Sequence, residues 1–165
     1  MKLYQLSSKQ TLPITPKEAW EFLSNPANLK VITPSNMGFH ILSGDDRKLF
    51  AGQIIQYTVS PFPGFTTRWV TEITHAKNGE YFVDEQRFGP YSLWHHKHFI
   101  RPIEGGVAME DLIDFKLPLG FLGQLAYRIF IKRQLIAIFR YREQKLIELF
   151  GQMAHAPNEL QLKSI

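Results

Sequence analysis

From Phe39 to Leu117, short runs of β-branched and aromatic residues alternate with clusters of turn formers. Read at a period of two, these runs predict strands at 39–43, 52–59, 66–75, 80–88, 91–101 and 107–117. The separators are Ser43-Gly44-Asp45-Asp46, Pro61-Phe62-Pro63-Gly64, Asn78-Gly79, Gly89-Pro90 and Glu104-Gly105-Gly106. Asn78-Gly79 is the strongest hairpin signal among them, because both residues tolerate the positive φ of a type I′ turn. Connections this short predict an antiparallel meander. A further strand is expected at 3–12, ahead of the meander. Between them, Thr15-Pro16-Lys17-Glu18 reads as a capping box opening a helix with Pro16 in its first turn. Asn25-Pro26 breaks that helix and starts a second, 26–33, which Pro34 ends.

The pattern changes again after Pro118. From about Gly120 to Met153 no proline interrupts the chain, and one helix of about 30 residues is expected, close to 50 Å long or bent. Leu122, Leu125, Ile129, Ile136, Leu146 and Phe150 form its first apolar stripe. Phe130, Ile131, Leu135, Ile138 and Phe139 lie off that stripe, so the middle is apolar on most sides and is expected to be buried on more than one of them. Trp20, Phe22 and Leu23 on the first helix, with Leu125, Ile129 and Ile136 on the last, are the expected helical core. After Pro157 the tail, 156–165, is polar and expected to fray.

Strand phase then brings chemistry together. Side chains two apart on a strand share a face. At 107–117 the inward set is Val107, Met109, Asp111, Ile113, Phe115 and Leu117, with Asp111 its one charge. A carboxylate there needs a partner or a raised pKa. At 91–101, Trp94 and Ile100 select their own face as interior and carry His96 and His98 inward with them, leaving His95 outside. The turn at 102–106 pairs these strands, which places His96 and His98 near Asp111. At 80–88 the two rings of Phe82 and Phe88 select the inward set Phe82, Asp84, Gln86 and Phe88. Trp69, Thr71 and Ile73 face inward at 66–75, and Tyr57 and Val59 at 52–59.

Three readings of this cluster stay open. It is a buried polar network that fixes the core, the polar floor of a ligand cavity, or an oriented acid–base pair. His-x-His on a strand is also a zinc pattern, with Asp111 or Asp84 as the third ligand, but the sequence fixes no such ligand and no metal is assigned. The candidate ligand-binding residues are Tyr57, Trp69, Asp84, Gln86, Trp94, His96, His98, Asp111, Phe115 and Ile129. No catalytic residue is assigned, with His96, His98 and Asp111 the candidates.

Composition narrows the classes. The 165 residues are 44% hydrophobic and 21% charged, an ordinary globular balance for one domain. Thirteen Phe, six Tyr and three Trp raise the aromatic share to 13%, which suits a bulky core or a lined cavity. Cysteine is absent, which excludes disulfides, thiolate metal sites and a cysteine nucleophile. No phosphate-cradling Gly-x-x-x-x-Gly-Lys loop, Gly-x-Ser-x-Gly elbow or dinucleotide fingerprint occurs, so no cofactor is expected. The uncharged stretch from Leu49 to Thr67 holds Pro61, Pro63 and Gly64, and is no membrane span. The amino terminus lacks the apolar run of a signal peptide, and a cytoplasmic protein is expected. The net charge of +4 sits wholly between Gly120 and Ala154, where six basic side chains face Glu143 and Glu148. That segment reads as a solvated helix face, or as a contact for a membrane surface. Nucleic acid is not expected as a partner, and the oligomeric state is open, a homodimer included.

One strand, two short helices, six strands and a long terminal helix is an order that resembles the helix-grip fold of the START-like (SRPBCC) superfamily. Arg68-Trp69-Val70-Thr71-Glu72-Ile73, Phe82-Val83-Asp84-Glu85-Gln86, Gly89-Pro90-Tyr91, Trp94-His95-His96-Lys97-His98-Phe99, Met109-Glu110-Asp111 and Leu117-Pro118-Leu119-Gly120 resemble its bacterial ligand-binding, polyketide cyclase/dehydrase-like branch. The resemblance spans about 3–152. It implies an α+β domain at 1–155, with a seven-stranded curved antiparallel sheet wrapped around the terminal helix. A cavity for a small apolar or aromatic molecule would lie between them. Members of that superfamily bind or transform very different ligands, so two alternatives accompany the binding module: a cofactor-free cyclase or dehydratase, and a lipid-transfer or membrane-surface protein.

Overall fold

The computed structural model describes residues 2–62, 64–154 and 158–165. The chain opens on β1 (Tyr4–Leu12) and α1 (Pro16–Leu23), followed by 3-10 turns at Pro26–Lys30 and Ser35–Met37. Strands β2 (His40–Ser43), β3 (Ile54–Phe62), β4 (Phe65–Lys77), β5 (Tyr81–Phe88), β6 (Leu93–Ile103) and β7 (Gly106–Lys116) follow as a meander. The terminal helix comprises α2 (Phe121–Ala126), a π turn (Tyr127–Ile131) and α3 (Lys132–Phe150), and β8 (Glu159–Ser164) closes the chain. This is the helix-grip architecture. The antiparallel sheet runs β2-β3-β4-β5-β6-β7-β1-β8.

Local chemistry accounts for the early elements. Thr15 caps α1 by accepting from the Glu18 amide, while Glu18 accepts from the Thr15 amide at 2.8 Å. Asn25 caps the next segment, which is a 3-10 turn ending at Lys30 rather than the expected helix to Thr33. The sheet has eight strands rather than seven. The expected frayed tail is wrong for Glu159–Ser164, which pairs antiparallel with β1 from Tyr4↔Ser164 to Lys9↔Glu159. Leu160 and Leu162 pack against the core cluster of Tyr4, Leu6 and Phe115, so β8 satisfies the β1 edge and covers its apolar flank. Pro157 lies outside the described residues.

The terminal helix is continuous, but its buried face differs from the expected stripe. Tyr127, Leu135, Phe139, Arg142 and Leu146 are buried, whereas Leu125 and Ile129 are 44% and 60% exposed. Ile136 is half-buried. The π turn inserts one extra residue per turn between 127 and 131, which rotates everything before it relative to α3. A helix apolar on most sides does not choose its own inner face; the sheet chooses it. Among the described residues no helix is long and apolar enough to cross a membrane.

Candidate functional site

Two adjoining chambers lie against the inner face of the sheet: one of about 200 Å³, closed by residues 22–33 and Arg142, and one of about 380 Å³, closed mainly by the terminal helix. Both are lined by Ile32, Val59, Trp69, Trp94, His96 and Arg142, where they meet. The smaller reaches Phe39, Ile55, Tyr57, Thr71, Asp84 and His98. The larger extends past Tyr91, Leu117, Leu135 and Phe139 to a mouth bordered by Phe65, Leu119 and Leu122. The walls are ring on ring: Tyr57 stacks on Trp69 at 5.9 Å, and Trp69 meets Trp94 edge to face at 5.3 Å. The Tyr57 hydroxyl bonds Thr71 Oγ1 at 3.0 Å, and burial, then the Asp84 charge, push its pKa well up. Trp69 Nε1 is buried without a hydrogen-bond acceptor.

One polar cluster interrupts this apolar lining. Register aligns Asp84 on β5 with His96 on β6, and His98 with Asp111 on β7. The two imidazoles lie 3.7 Å apart, and Phe82 stacks on His98 at 4.0 Å. Each carboxylate faces both rings. Asp84 Oδ2 is 2.7 Å from His98 Nε2 and 3.5 Å from His96 Nδ1. Asp111 Oδ1 is 3.0 Å from His96 Nε2 and 2.9 Å from His98 Nδ1, the last contact lying off hydrogen-bond direction. Arg142 reaches down from α3 to place Nη2 3.2 Å from the same Asp111 oxygen.

Two carboxylates and one guanidinium leave the buried cluster one negative charge, which a single proton on the histidine pair cancels. Burial disfavours the charged form of both rings, and the neighbours decide which ring takes that proton. For His98, the pull of the facing carboxylates, Asp111 and then hydrogen-bonded Asp84, outweighs burial and raises its pKa above the ordinary value of 6.5. For His96, burial and then the nearby His98 charge prevail, and its pKa falls below that value. Burial would raise both carboxyls. At Asp111 the Arg142 charge overrides it and holds the group well below the usual range; at Asp84 the His96 charge and the His98 hydrogen bond do so. The arrangement therefore sets two imidazoles with opposite pKa shifts side by side on the chamber wall.

The structure brings Tyr57, Trp69, Asp84, Trp94, His96 and His98 to the chamber lining. Asp111 lies behind the histidines and holds them. Three expected lining residues are elsewhere. Phe115 is buried in the core among Tyr4, Tyr127 and Leu6. Ile129 is on the outer face of the helix. Gln86 bonds the backbone of Tyr91 through both amide atoms, at 2.6 and 3.1 Å. Gln86 keeps phase with Asp84, pairing with inward Thr71, and its amide is taken up by Tyr91 rather than by the chamber; a bulge then explains Phe88, since β4 advances one residue from Val70 to Thr71 while β5 runs two, from Phe88 to Gln86. Period-two phase is lost there, and Phe88 is 72% exposed rather than inward. His95, as expected, points outward, to Glu85 Oε1 at 3.0 Å.

Arg142 is the residue that sequence reasoning missed. It was read as part of a solvated basic face, yet it is 91% buried, as its 9% exposure gives. Its signal was the spacing Leu135–Phe139–Arg142–Leu146, which sets one cation within an apolar helical stripe.

Compared by sequence, the chain matches no family model and no curated protein. Compared by structure, it is similar to protein CV1439 from Chromobacterium violaceum, at a TM-score of 0.69 and 12% identity, over 90% of this chain and 99% of that one. It is similar to the di-domain ARO/CYC StfQ of the steffimycin biosynthetic pathway, at 0.64 and 10% identity, over 90% of this chain and 52% of that one. It is also similar to a point mutant of Thalictrum norcoclaurine synthase in complex with a transition-state analogue, at 0.61 and 11% identity, over 90% and 98% of the two chains. Likeness at these identities establishes the fold alone, the helix grip that the resemblance in sequence implied.

Proposed function

We propose that this protein binds a small apolar or aromatic molecule in the paired chambers, with a polar group of that molecule set against His96, His98 and Asp84. The observation that carries this reading is the lining: mostly apolar walls of aliphatic side chains and packed rings, with the ionisable groups Asp84, His96, His98 and Arg142 gathered in one place. Burial of apolar ligand surface supplies affinity, and a few placed polar groups orient the ligand. Neighbours described as an aromatase/cyclase and as norcoclaurine synthase support a small-molecule chamber in this fold. The test is titration of a fluorescent apolar probe into the wild type and into His95→Ala, His96→Ala and His98→Ala, at equal folded concentration. The two inward variants weaken binding and His95→Ala does not. Equal affinities in all four proteins would leave the cluster a purely structural role. An acid–base enzyme of the cyclase or dehydratase kind would use the same residues, and turnover lost in the inward variants is its mark.

A second reading is favoured by the chamber mouth. Leu119, Phe121, Leu122, Leu125 and Ile129 are 77%, 76%, 63%, 44% and 60% exposed. Arg128, Lys132 and Arg133 stand exposed on the same helical segment. Apolar side chains flanked by cations complement an anionic lipid surface. Salt-sensitive sedimentation with phosphatidylserine vesicles, lost in a Phe121→Ser, Leu122→Ser variant, supports it; equal sedimentation with neutral and anionic vesicles refutes it.

A further inference from the structure

Two histidines at metal-ligand spacing lacked a third ligand in the sequence, and the fold supplies one. We propose that Asp84, His96 and His98 bind one divalent first-row transition-metal ion, with an open coordination position facing the chamber. Each residue offers one atom, Asp84 Oδ2, His96 Nδ1 and His98 Nε2, and the three lie within 4.8 Å of one another. Bonds of about 2.0–2.1 Å at tetrahedral angles require ligand atoms about 3.3 Å apart. The Asp84 oxygen stands 3.5 Å from His96 Nδ1, close to that spacing, and 2.7 Å from His98 Nε2, a contact that has to open by about half an ångström.

The nitrogens left over make the stronger argument. With a metal on His96 Nδ1 and His98 Nε2, the ring protons sit on His96 Nε2 and His98 Nδ1. The first donates to Asp111 Oδ1 at 3.0 Å; the second stands 2.9 Å from the same oxygen but off hydrogen-bond direction, so that it needs a small ring rotation to donate. A carboxylate behind a metal-ligating imidazole fixes its tautomer and aim. Here Asp111 does so for His96 and stands within reach of His98, and Arg142 balances its charge.

Access and charge agree with this arrangement. Asp84, His96 and His98 line the smaller chamber, while Asp111 does not, so the ligating atoms lie on the chamber side. With both rings neutral the cluster carries one negative charge. A divalent ion would reverse it to one positive, which a hydroxide or an anionic oxygen cancels. Two nitrogens and one oxygen suit zinc, cobalt(II) or iron(II) better than calcium or magnesium. The chamber molecule would then present an oxygen, as a carbonyl, enolate or phenolate, for the ion to polarise. The proposed metal site does not depend on the ligand reading, because it is tested with the chamber empty.

The experiment titrates metal-stripped full chain with Co²⁺, read by visible absorption, and with Zn²⁺, read against a chromophoric chelator. The wild type takes up one equivalent of either ion. Asp84→Asn and His98→Gln each weaken binding about 100-fold or more, and Asp111→Asn weakens it about 10–100-fold. His95→Ala, on the outer face, binds as the wild type does. No stoichiometric uptake, or undiminished uptake by Asp84→Asn, overturns the proposal. The wild type alone decides if the inward variants fail to fold: Zn²⁺ shifts the ring nitrogen resonances of His96 and His98 and raises the melting temperature, and unshifted resonances overturn the site. Apolar-probe binding without metal uptake leaves the proposed function standing and removes this inference; metal uptake without probe binding does the reverse.

Discussion

Arg142 and Asp111 join helix to sheet beside the chamber, their Nη2 and Oδ1 atoms 3.2 Å apart with both side chains nearly sealed from solvent. The terminal helix is thereby tied to the wall that carries His96 and His98. Arg142→Met leaves a buried carboxylate without its main counter-charge, and breaking a buried pair from one side costs about 3–5 kcal/mol. Urea denaturation at neutral pH is expected to show a loss of that order. Adding Asp111→Asn to Arg142→Met recovers part of it, because the stranded charge is gone. A loss below about 1 kcal/mol in the single variant would mean that water reaches Asp111.

The metal-free histidine pair is expected to titrate on opposite sides of the ordinary value of 6.5, His98 above it and His96 below. For the raised His98, the folded state holds a proton that the unfolded chain releases. Its contribution is complete below pH 6.5 and is lost as pH rises through the folded value. For the lowered His96, the unfolded chain takes a proton that the folded ring refuses, so stability falls as pH drops below 6.5. Asp111 adds stability that is present above its ordinary 3.8 and is lost in stronger acid. Imidazole resonances followed by NMR test the split. His98→Gln should abolish the alkaline decline in stability; a decline that persists would place its origin elsewhere.

The two faces of the terminal helix give an unambiguous comparison. Leu135 is 5% exposed inside the core and Ile129 is 60% exposed outside it. Leu135→Ala is expected to cost about 2–5 kcal/mol, and Ile129→Ala to stay within about 0.5 kcal/mol. Similar losses in both would mean that the outer face is covered in solution.

The limits of the sequence reading follow from the same physics. Strand β7 was legible residue by residue, because one face is buried and a one-residue slip would have turned Asp111 outward and Glu110 inward. His96 and His98 followed from Trp94 and Ile100 in the same way. Phe88 was misplaced because a bulge against β4 leaves no mark in the period of β5 itself, and Gln86 because its amide is taken up by the backbone of Tyr91. Leu125 and Ile129 were misplaced because an apolar helix with a π turn has no single preferred face. Arg142 was missed because a cation in a basic segment reads as solvated until the carboxylate that receives it is located on another element. The metal-ligand set stayed incomplete for a related reason: Asp84 joins His96 and His98 only through the β5–β6 register.

Strand β8 makes the last prediction. Six residues that read as a loose tail pair with β1 along Tyr4–Lys9, and Leu160 and Leu162 cover the flank of the core there. Asn158 ties the start of this segment to α3 and β1, donating to Glu143 Oε1 at 2.9 Å and accepting from the Thr11 amide at 3.1 Å. Deleting 159–165 removes two half-buried leucines, uncovers the flank of the Tyr4 and Leu6 cluster beneath them and bares one strand edge. The lost apolar burial corresponds to about 2–4 kcal/mol, read as a shift in the urea midpoint. The bared β1 edge is also a template for a second chain. The truncated protein is therefore expected to elute as dimer or larger in gel filtration, with the fraction rising with concentration. A monomeric truncation of undiminished stability would show that β8 rests on the sheet without supporting it.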